Sequence, residues 1–384
     1  SQKCYNQLTM FSPVFSINNQ ILKNIGQIEA AKAIIDEAPM IPAYEKQFQQ
    51  EAIVRTVHYG TRIEGNDLTF QEVARLVEGH QITATDRDIQ EVINYRNVMS
   101  YLEELWSLYD ANMPLPEEKN IDTNDKKRPF FYSETIIKRI HQLTTAKIIP
   151  ESDVGKYRHQ QVVLKNTRTG EIAHRPPPAI EVPYLMTDFI DWINSSASQE
   201  IHATIKSAIS QYILVAIHPF IEGNGRVSRA FAMLPLYTQG YDIRRLFSME
   251  EYFDRNAEDY YNTIQNTHLL SSDIFKRDLT KWIEYYTQAL AVELSRVKDK
   301  VQSLSRDIKL KQKLGGKQVH LSERQIKLVE YMQQFGGLRM PDAQQLLPMV
   351  SDDTIWRDLK KLVDSGAIEK RGSTKGAYYC LTNV

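Results

Sequence analysis

The pattern of apolar and polar residues along this 384-residue chain predicts a mostly α-helical protein. In the first predicted helix, Ile21, Ile25 and Ile28 return at intervals of three or four residues, which is the spacing of one helix face. Prolines, glycines and polar runs separate such segments. On this basis helices are expected at about 21–37, 43–59, 69–78, 86–109, 133–143, 182–193, 201–217 and 278–306.

Three further local signals punctuate this helical pattern. Thr69 and Glu72 predict a capping box at the start of the third helix, since each side chain can accept a hydrogen bond from the other residue's N–H. The polar stretch 112–128, with two prolines, predicts a surface loop. Two β-prone runs, 161–165 and 171–175, flank a turn and predict a hairpin.

The last part of the chain has the pattern of a separate small domain. Three short helices at 322–335, 341–347 and 351–364 precede two strands at 367–371 and 377–381, and this order resembles a winged helix. The predicted organisation is therefore a mainly α protein with four parts. These are an N-terminal helical region at 1–110, a core at 111–306 containing the hairpin, a Lys-rich linker at 307–320 and the winged helix at 321–384.

Charge and cysteine content narrow the classes of function. The chain carries 47 Lys and Arg against 48 Asp and Glu, a formal net charge of −1, so only a local basic patch could bind nucleic acid. Its two cysteines, Cys4 and Cys380, are far apart in sequence, which argues against a disulfide framework and a zinc site. Together with the lack of a secretory signal pattern and of a long apolar run, this predicts a cytoplasmic protein without a membrane partner.

The stretch from His218 to Arg229, His-Pro-Phe-Ile-Glu-Gly-Asn-Gly-Arg-Val-Ser-Arg, holds most of the candidate chemistry. Apolar runs flank it, so two buried helices should enclose a short Gly-rich loop. Gly223 and Gly225 expose backbone N–H groups at the start of the second helix, where the helix dipole also favours an anion. Arg226 and Arg229 are three residues apart, so both guanidiniums can reach the same phosphate.

Two further residues of this loop suit chemistry on a phosphate chain. His218 can accept a proton near neutral pH, and Glu222 offers a hard oxygen ligand for Mg²⁺ shared with phosphates. A base, a metal ligand and an anion site within one loop fit phosphoryl or nucleotidyl transfer.

This stretch resembles the signature of the Fic family, His-x-Phe-x-(Asp/Glu)-Gly-Asn-Gly-Arg-x-x-Arg, at every specified position. The resemblance implies a protein adenylyltransferase that moves AMP from ATP to a Ser, Thr or Tyr hydroxyl of a protein, with His218 as the catalytic base. It also implies that Glu222 holds Mg²⁺. The nucleotide would be bound by the backbone and side chains of Gly223, Asn224, Gly225, Arg226, Val227, Ser228 and Arg229.

A second stretch, Thr61-Arg-Ile-Glu64-Gly65-Asn66, resembles the inhibitory motif (Ser/Thr)-x-x-x-Glu-(Gly/Asn) of Fic proteins. In that family the glutamate pairs with the second motif arginine and blocks the γ-phosphate, so Glu64 would regulate the site through Arg229. The sequence departs from the pattern because Gly60, not Ser or Thr, stands four residues before Glu64. A helix that is shifted or loosened at Gly60 is therefore expected. Without the resemblance, Gly65 and Asn66 read as a plain helix end.

Two other regions resemble parts of the Fic fold. The predicted hairpin at 161–175 looks like the flap that binds the target protein by strand addition. Tyr260 and Tyr261 resemble a tyrosine pair beside the nucleobase, which makes Tyr261 a candidate nucleotide contact. In the family an Asn follows seven residues later, whereas this chain has His268.

Several alternatives stay open at this stage. The chain could be a DNA-binding transcriptional regulator that uses the Fic core as a nucleotide sensor, a Fic enzyme with another nucleotide donor, or one that removes AMP. The winged helix could contact DNA through Trp356, Arg357, Lys360 and Lys361, although Asp352, Asp353 and Asp358 oppose this, or it could dock a protein. Homo-oligomerisation is a further option.

Overall fold

The structure is a computed structural model that describes residues 11–40, 42–113, 129–165, 172–313, 321–348, 350–372 and 377–382. Its contacts divide the chain into two compact units, the first comprising residues up to 37 together with 43–298, and the second comprising 38–42 together with 299–384. Within the described residues both units are mostly helical, which confirms the predicted fold class.

The first unit is built from helices and one small hairpin. Its helices are α1 (Asn19–Glu37), α2 (Pro42–Arg62), α3 (Phe70–Val77), α4 (Asp86–Asp110), α5 (Glu134–Thr145), α6 (Val182–Asn194), α7 (Ser196–Gln199), α8 (Ala203–Ile217), α9 (Asn224–Thr238), α10 (Met249–Arg255), α11 (Ala257–His268) and α12 (Thr280–Lys313), the last contributing residues to both units.

Helices α8 and α9 form the centre of the first unit. Nearly every residue of α8 is buried, and α9 packs against it as well as against α4 and α5. Trp282 of α12 is fully buried and donates from Nε1 to the carbonyl of Ala208 in α8, 2.7 Å away. A helix that is buried on all sides lies in a core, so the loop between α8 and α9 is carried by the centre of the unit.

Local signals placed the start of α3 correctly. Thr69 accepts from the N–H of Glu72, and the Glu72 side chain accepts from the N–H of Thr69 at 2.9 Å, so the predicted capping box is confirmed. The end of α2 differs from the sequence prediction: the helix continues past Tyr59 to Arg62. Gly60 therefore lies inside the helix and does not interrupt it.

The predicted hairpin is present but shorter than expected. Strand β1 (Leu164–Lys165) pairs antiparallel with β2 (Ile172–His174), and the turn between them lies outside the described residues. Most of the predicted loop at 112–128 also lies outside them. The predicted linker at 307–320 is helical as far as Lys313, and 314–320 are not among the described residues.

The second unit contains three helices and a second hairpin, in the order expected for a winged helix. Their bounds are α13 (Glu323–Phe335), α14 (Met340–Leu346), α15 (Asp352–Asp364), β3 (Ile368–Arg371) and β4 (Tyr378–Leu381). Leu328, Ile355 and Leu359 are fully buried in one apolar core, and β3 pairs antiparallel with β4. Across the described residues of both units, none of the helices combines the length and the apolarity needed to cross a bilayer.

Candidate active site

His218 occupies a left-handed turn at the end of α8. Its φ is 51°, and Pro219 follows, so the helix ends there as predicted. The imidazole Nδ1 lies 3.3 Å from the carbonyl of Val215, which can only accept, so Nδ1 carries the proton and Nε2 is left as the acceptor. Burial, assisted by the neighbouring His174, lowers the pKa of His218 to about 4. The ring is therefore neutral at pH 7.

The loop after His218 ends in an uncapped helix start. Gly223 has a φ of 78° and precedes α9 without any side-chain cap, so no capping side chain bonds to the first N–H groups of α9. Asn224 folds back on the loop, accepting from the N–H of Phe220 at 2.9 Å and donating to its carbonyl at 2.9 Å. This pair of bonds fixes the loop in a shape that leaves the helix N-terminus open.

Two arginines of α9 are buried beside this open helix start. Arg226 and Arg229 are 3% and 2% exposed, and three of their buried nitrogens, Nε and Nη1 of Arg226 and Nε of Arg229, have no hydrogen-bond partner. Buried guanidinium N–H groups are rarely left unpaired. Together with the helix dipole, they make this a site for an anion with several oxygens. Val227 and Ser228 lie between the two arginines and are themselves buried.

Glu64, in the turn just after α2, forms an ion pair with Arg229. Its Oε1 lies 2.8 Å from Nη1 of Arg229, and its side chain is 31% exposed. Burial alone would raise the pKa of Glu64, but the positive charges of Arg229 and Arg226 outweigh burial and hold it below its ordinary value. The Glu64 carboxylate thus acts as an anionic group within the anion site formed by Arg226 and Arg229.

Gly60 takes part in the same contact through its backbone. Its carbonyl accepts from Nη2 of Arg229 at 2.9 Å, and a Cβ at this position would fall 2.4 Å from Cε1 of Tyr95. Thr61, one residue later, donates from its hydroxyl to the carbonyl of Val57. The expected loosening at Gly60 is wrong: α2 is continuous there, and the lack of a side chain is what permits the close packing.

Glu222 lies among charged groups of α4 and α9. Its carboxylate forms an ion pair with Arg87 and lies 4.0 Å from Nη2 of Arg226, while Glu91 lies 3.7 Å from the same atom. Among the described residues no group of three His, Cys, Asp or Glu side chains could hold a metal ion. A single carboxylate fits Mg²⁺ only where phosphate oxygens and waters supply the other ligands, and the adjacent anion site meets that condition.

The tyrosine pair of α11 contacts the Glu64 turn. Tyr261 is half exposed and donates from its hydroxyl to the carbonyl of Ile63 at 3.0 Å, whereas Tyr260 is buried and accepts from Gln211. His268 is buried, and its ring stacks on His174 with centroids 3.8 Å apart. Tyr261 is therefore the exposed member of the pair, and it contacts the turn that carries Glu64.

Several residues of the site carry no signal in the sequence. His141 accepts from the N–H of Gly155 at Nδ1, donates from Nε2 to the carbonyl of Glu222 and stacks on Phe220 at 3.9 Å, so it supports the loop structurally. Arg87, Glu91, Arg158 and His174 were not singled out, because each lies outside the motif and reaches it only through the fold.

Comparison with known proteins agrees with this geometry. Residues 131–236 match the Fic/DOC family, and residues 324–373 match the DeoR-like helix-turn-helix domain family. The protein adenylyltransferase Fic of Drosophila willistoni is 25% identical over 222 residues, which are 57% of this chain and 39% of that protein. The one of Aedes aegypti is 26% identical over 196 residues, 51% of this chain and 34% of that protein. The chain thus spans about two fifths of the length of such relatives.

Solved structures share the fold. A Fic family protein from Desulfovibrio desulfuricans G20 superposes with a TM-score of 0.59 over 97% of this chain and 99% of its own, at 22% identity. A Fic domain containing signaling protein from Bacteroides thetaiotaomicron VPI-5482 gives a TM-score of 0.56 over 74% of this chain and 98% of its own, at 19% identity. The motif and the matched domains together show that the chain carries a Fic/DOC domain and a C-terminal DeoR-like helix-turn-helix domain, and its fold is shared with solved Fic structures.

Proposed function

We propose that this protein is an adenylyltransferase that moves AMP from ATP to a hydroxyl of a protein. The observation that carries the proposal is the anion site. Unpartnered guanidinium nitrogens of Arg226 and Arg229 lie in an uncapped helix start, and the loop before that helix begins at the neutral His218. The relatives named protein adenylyltransferase support the same reaction.

The residues of the site would divide the reaction among them. Nε2 of His218 accepts the proton of the attacking hydroxyl, the new bond forms between that oxygen and the α-phosphorus, and pyrophosphate leaves. The N–H groups of α9 with Arg226 and Arg229 bind the phosphate oxygens, and Asn224 keeps the loop in shape. Glu222 would hold Mg²⁺, which neutralises phosphate charge when bound. Tyr261 would lie beside the nucleobase.

We further propose that Glu64 restrains this reaction. Its carboxylate takes the position on Arg229 that a γ-phosphate needs, and one guanidinium face cannot bind both anions at once. Tyr261 bonds to the backbone of the same turn, so nucleotide binding and release of Glu64 would be coupled.

The deciding experiment uses the full chain with Mg²⁺ and α-labelled ATP, and intact mass as readout. Glu64→Gly should gain one or more AMP groups faster than wild type, and adding His218→Ala should abolish the gain. Glu78→Gly and His80→Ala, changes at exposed positions elsewhere in the first unit, are the matched controls and should leave labelling as in the parent proteins. Equal labelling of wild type and Glu64→Gly would refute the restraining role of Glu64. Labelling that persists after His218→Ala is added would refute the role of His218 as the base.

DNA binding by the second unit is a second candidate function. It is favoured by the DeoR-like helix-turn-helix match and by the exposed Arg357, Lys360 and Lys361 on α15. Asp358, counted against DNA binding from the sequence, is buried and bonded to Arg324 at 2.8 Å, so it adds little negative charge to the exposed face.

A further inference from the structure

A buried arginine outside the motif joins the turn at His218 to the hairpin. Arg158 is 4% exposed, and its Nε donates to the carbonyl of His218 at 2.8 Å. Its Nη2 donates to the carbonyl of Pro177, just after β2, at 2.6 Å and to that of Ile217 at 3.4 Å. Its own N–H donates to the carbonyl of Pro219 at 2.8 Å.

The carbonyls of Ile217 and His218, at the end of α8, need a donor from outside the helix. The last carbonyls of a helix have no partner within it, and the left-handed turn at His218 with Pro219 behind it removes the N–H groups that would otherwise approach them. A guanidinium at the C-terminal end of α8 also interacts favourably with the helix dipole. Arg158 therefore caps α8 and holds His218 in its unusual backbone conformation.

The same guanidinium reaches the hairpin. Because its nitrogens lie in one rigid plane, the bonds from Nε to His218 and from Nη2 to Pro177 fix the spacing of the two segments. A second contact between them is the bond of His174 in β2 to the carbonyl of Ala216, 3.1 Å away. Arg158 thus links the hairpin to the turn that carries the base.

We propose that Arg158 is a positioning residue that keeps the hairpin in register with His218, so that a peptide strand docked on the hairpin presents its hydroxyl to Nε2 of His218. The identity of the reaction rests on the proposed function, but the role of Arg158 in holding the hairpin against His218 does not. Its side-chain hydrogen bonds go to Ile217, His218, Pro177 and Gln160, whereas Arg229 is held by Glu64 and Gly60. Nucleotide binding should therefore not depend on Arg158.

The test introduces Arg158→Lys and Arg158→Gln into the Glu64→Gly protein. Both should cut AMP self-labelling by about 100-fold, the cost of misplacing reacting groups by about 1 Å, while the Kd for ATP stays within about twofold of the parent. Hydrogen–deuterium exchange over 157–165 and 172–178 should be faster in both. Lysine keeps the charge but cannot bond two carbonyls from one plane, so it should not rescue.

Arg244→Gln is the matched control. Arg244 is also partly buried and bonds to Glu45 and to the carbonyl of Ile35, so its loss should lower the melting temperature without changing exchange at the hairpin. The proposal would be overturned if Arg158→Lys showed the AMP labelling and the hydrogen–deuterium exchange of the parent. It would also be overturned if the Arg158 variants lost ATP binding to the same extent as AMP labelling. If the Glu64→Gly parent shows no AMP transfer, the proposed function fails, and exchange alone decides: unchanged exchange in Arg158→Gln refutes the positioning role.

Discussion

The carboxylate of Glu64 lies directly over Gly225. A Cβ at position 225 would fall 2.2 Å from Oε1 of Glu64 and 3.2 Å from Nη1 of Arg229. Gly225 lies within α9 and has no positive φ, so the backbone itself would accept another residue. Any side chain at this position requires the Glu64 carboxylate to move, which makes the two residues energetically dependent on each other.

Gly225→Ala should therefore cost more stability in wild type than in Glu64→Gly. In wild type the new Cβ displaces Glu64 from Arg229, which should cost about 1–3 kcal/mol because a buried guanidinium loses its partner. In Glu64→Gly that displacement is absent, and the new Cβ meets only Nη1 of Arg229, at 3.2 Å. Urea unfolding of the four proteins measures the coupling. An equal loss of stability in both backgrounds would contradict the close contact.

Gly60 offers a test in which restoring the family pattern should do harm. Gly60→Ser places a Cβ 2.4 Å from the buried ring of Tyr95, whose hydroxyl donates to Glu250 at 3.0 Å and resists displacement. We expect a loss of about 1–3 kcal/mol in stability, as for other overpacked sites. A shift of α2 would also move Glu64, so ATP should bind more tightly.

Gly26→Ala in α1 is the control for that change, since nothing lies within 4 Å of a Cβ there. It should be neutral or slightly stabilising. Thermal unfolding and equilibrium dialysis with labelled ATP report the two effects. A Gly60→Ser protein as stable as wild type would show that α2 adapts without strain.

Gly60 also illustrates which features of the structure can be predicted from the sequence. The capping box of Thr69 and Glu72 and the end of α8 before Pro219 were predictable because capping boxes and prolines act within a few residues. The fit of α2 against Tyr95 depends on two helices that are distant in sequence, and a glycine in a helical pattern reads as a weak point until its neighbour is known. The motif from His218 to Arg229 could be recognised because its functional residues are contiguous in sequence. Arg87, Arg158 and His174 lie outside the motif and reach it only through the fold, so the sequence did not identify them.

Removing Arg87 should strengthen binding of Mg²⁺ with nucleotide. Its guanidinium pairs with Glu222, the proposed metal ligand, and with Glu91 at 3.2 Å, so it competes for the carboxylate that the cation needs. In Arg87→Ala the Mg²⁺ concentration for half-maximal ATP binding should fall by about 2–5-fold, the range expected for a partly exposed ion pair. Arg75→Ala on α3 is the control. An unchanged or higher Mg²⁺ requirement would rule out competition.

Buried histidines should make the protein lose stability in mild acid. Burial lowers the pKa of His141, His174 and His218 to about 4 and that of His268 to about 2, where Arg277 and His174 also oppose protonation. Between these values and the ordinary pKa of about 6.5, the unfolded chain binds more protons than the folded one. The stability that neutral histidines contribute is thus complete above about pH 6.5 and is lost progressively as pH falls towards 4.

Melting temperatures measured from pH 8 to pH 4.5 would check this. His268→Asn should flatten the decline, because it removes the most strongly shifted imidazole, and the exposed His159→Asn should leave the slope unchanged. A melting temperature that is constant or rises towards pH 5 would show that these rings are protonated in the folded protein.

DNA binding by the second unit should depend on salt and on the exposed face of α15. Trp356 is 47% exposed and lies 5.3 Å from Nζ of Lys360, so an aromatic and a cation are presented together. With random duplex DNA and the full chain, Lys360→Ala and Lys361→Ala should each reduce the slope of log K against log salt by about 1. Arg324→Ala should not, because Arg324 is paired with Asp358. Absence of binding at low salt, with the unit folded, would leave protein docking as the role of this face.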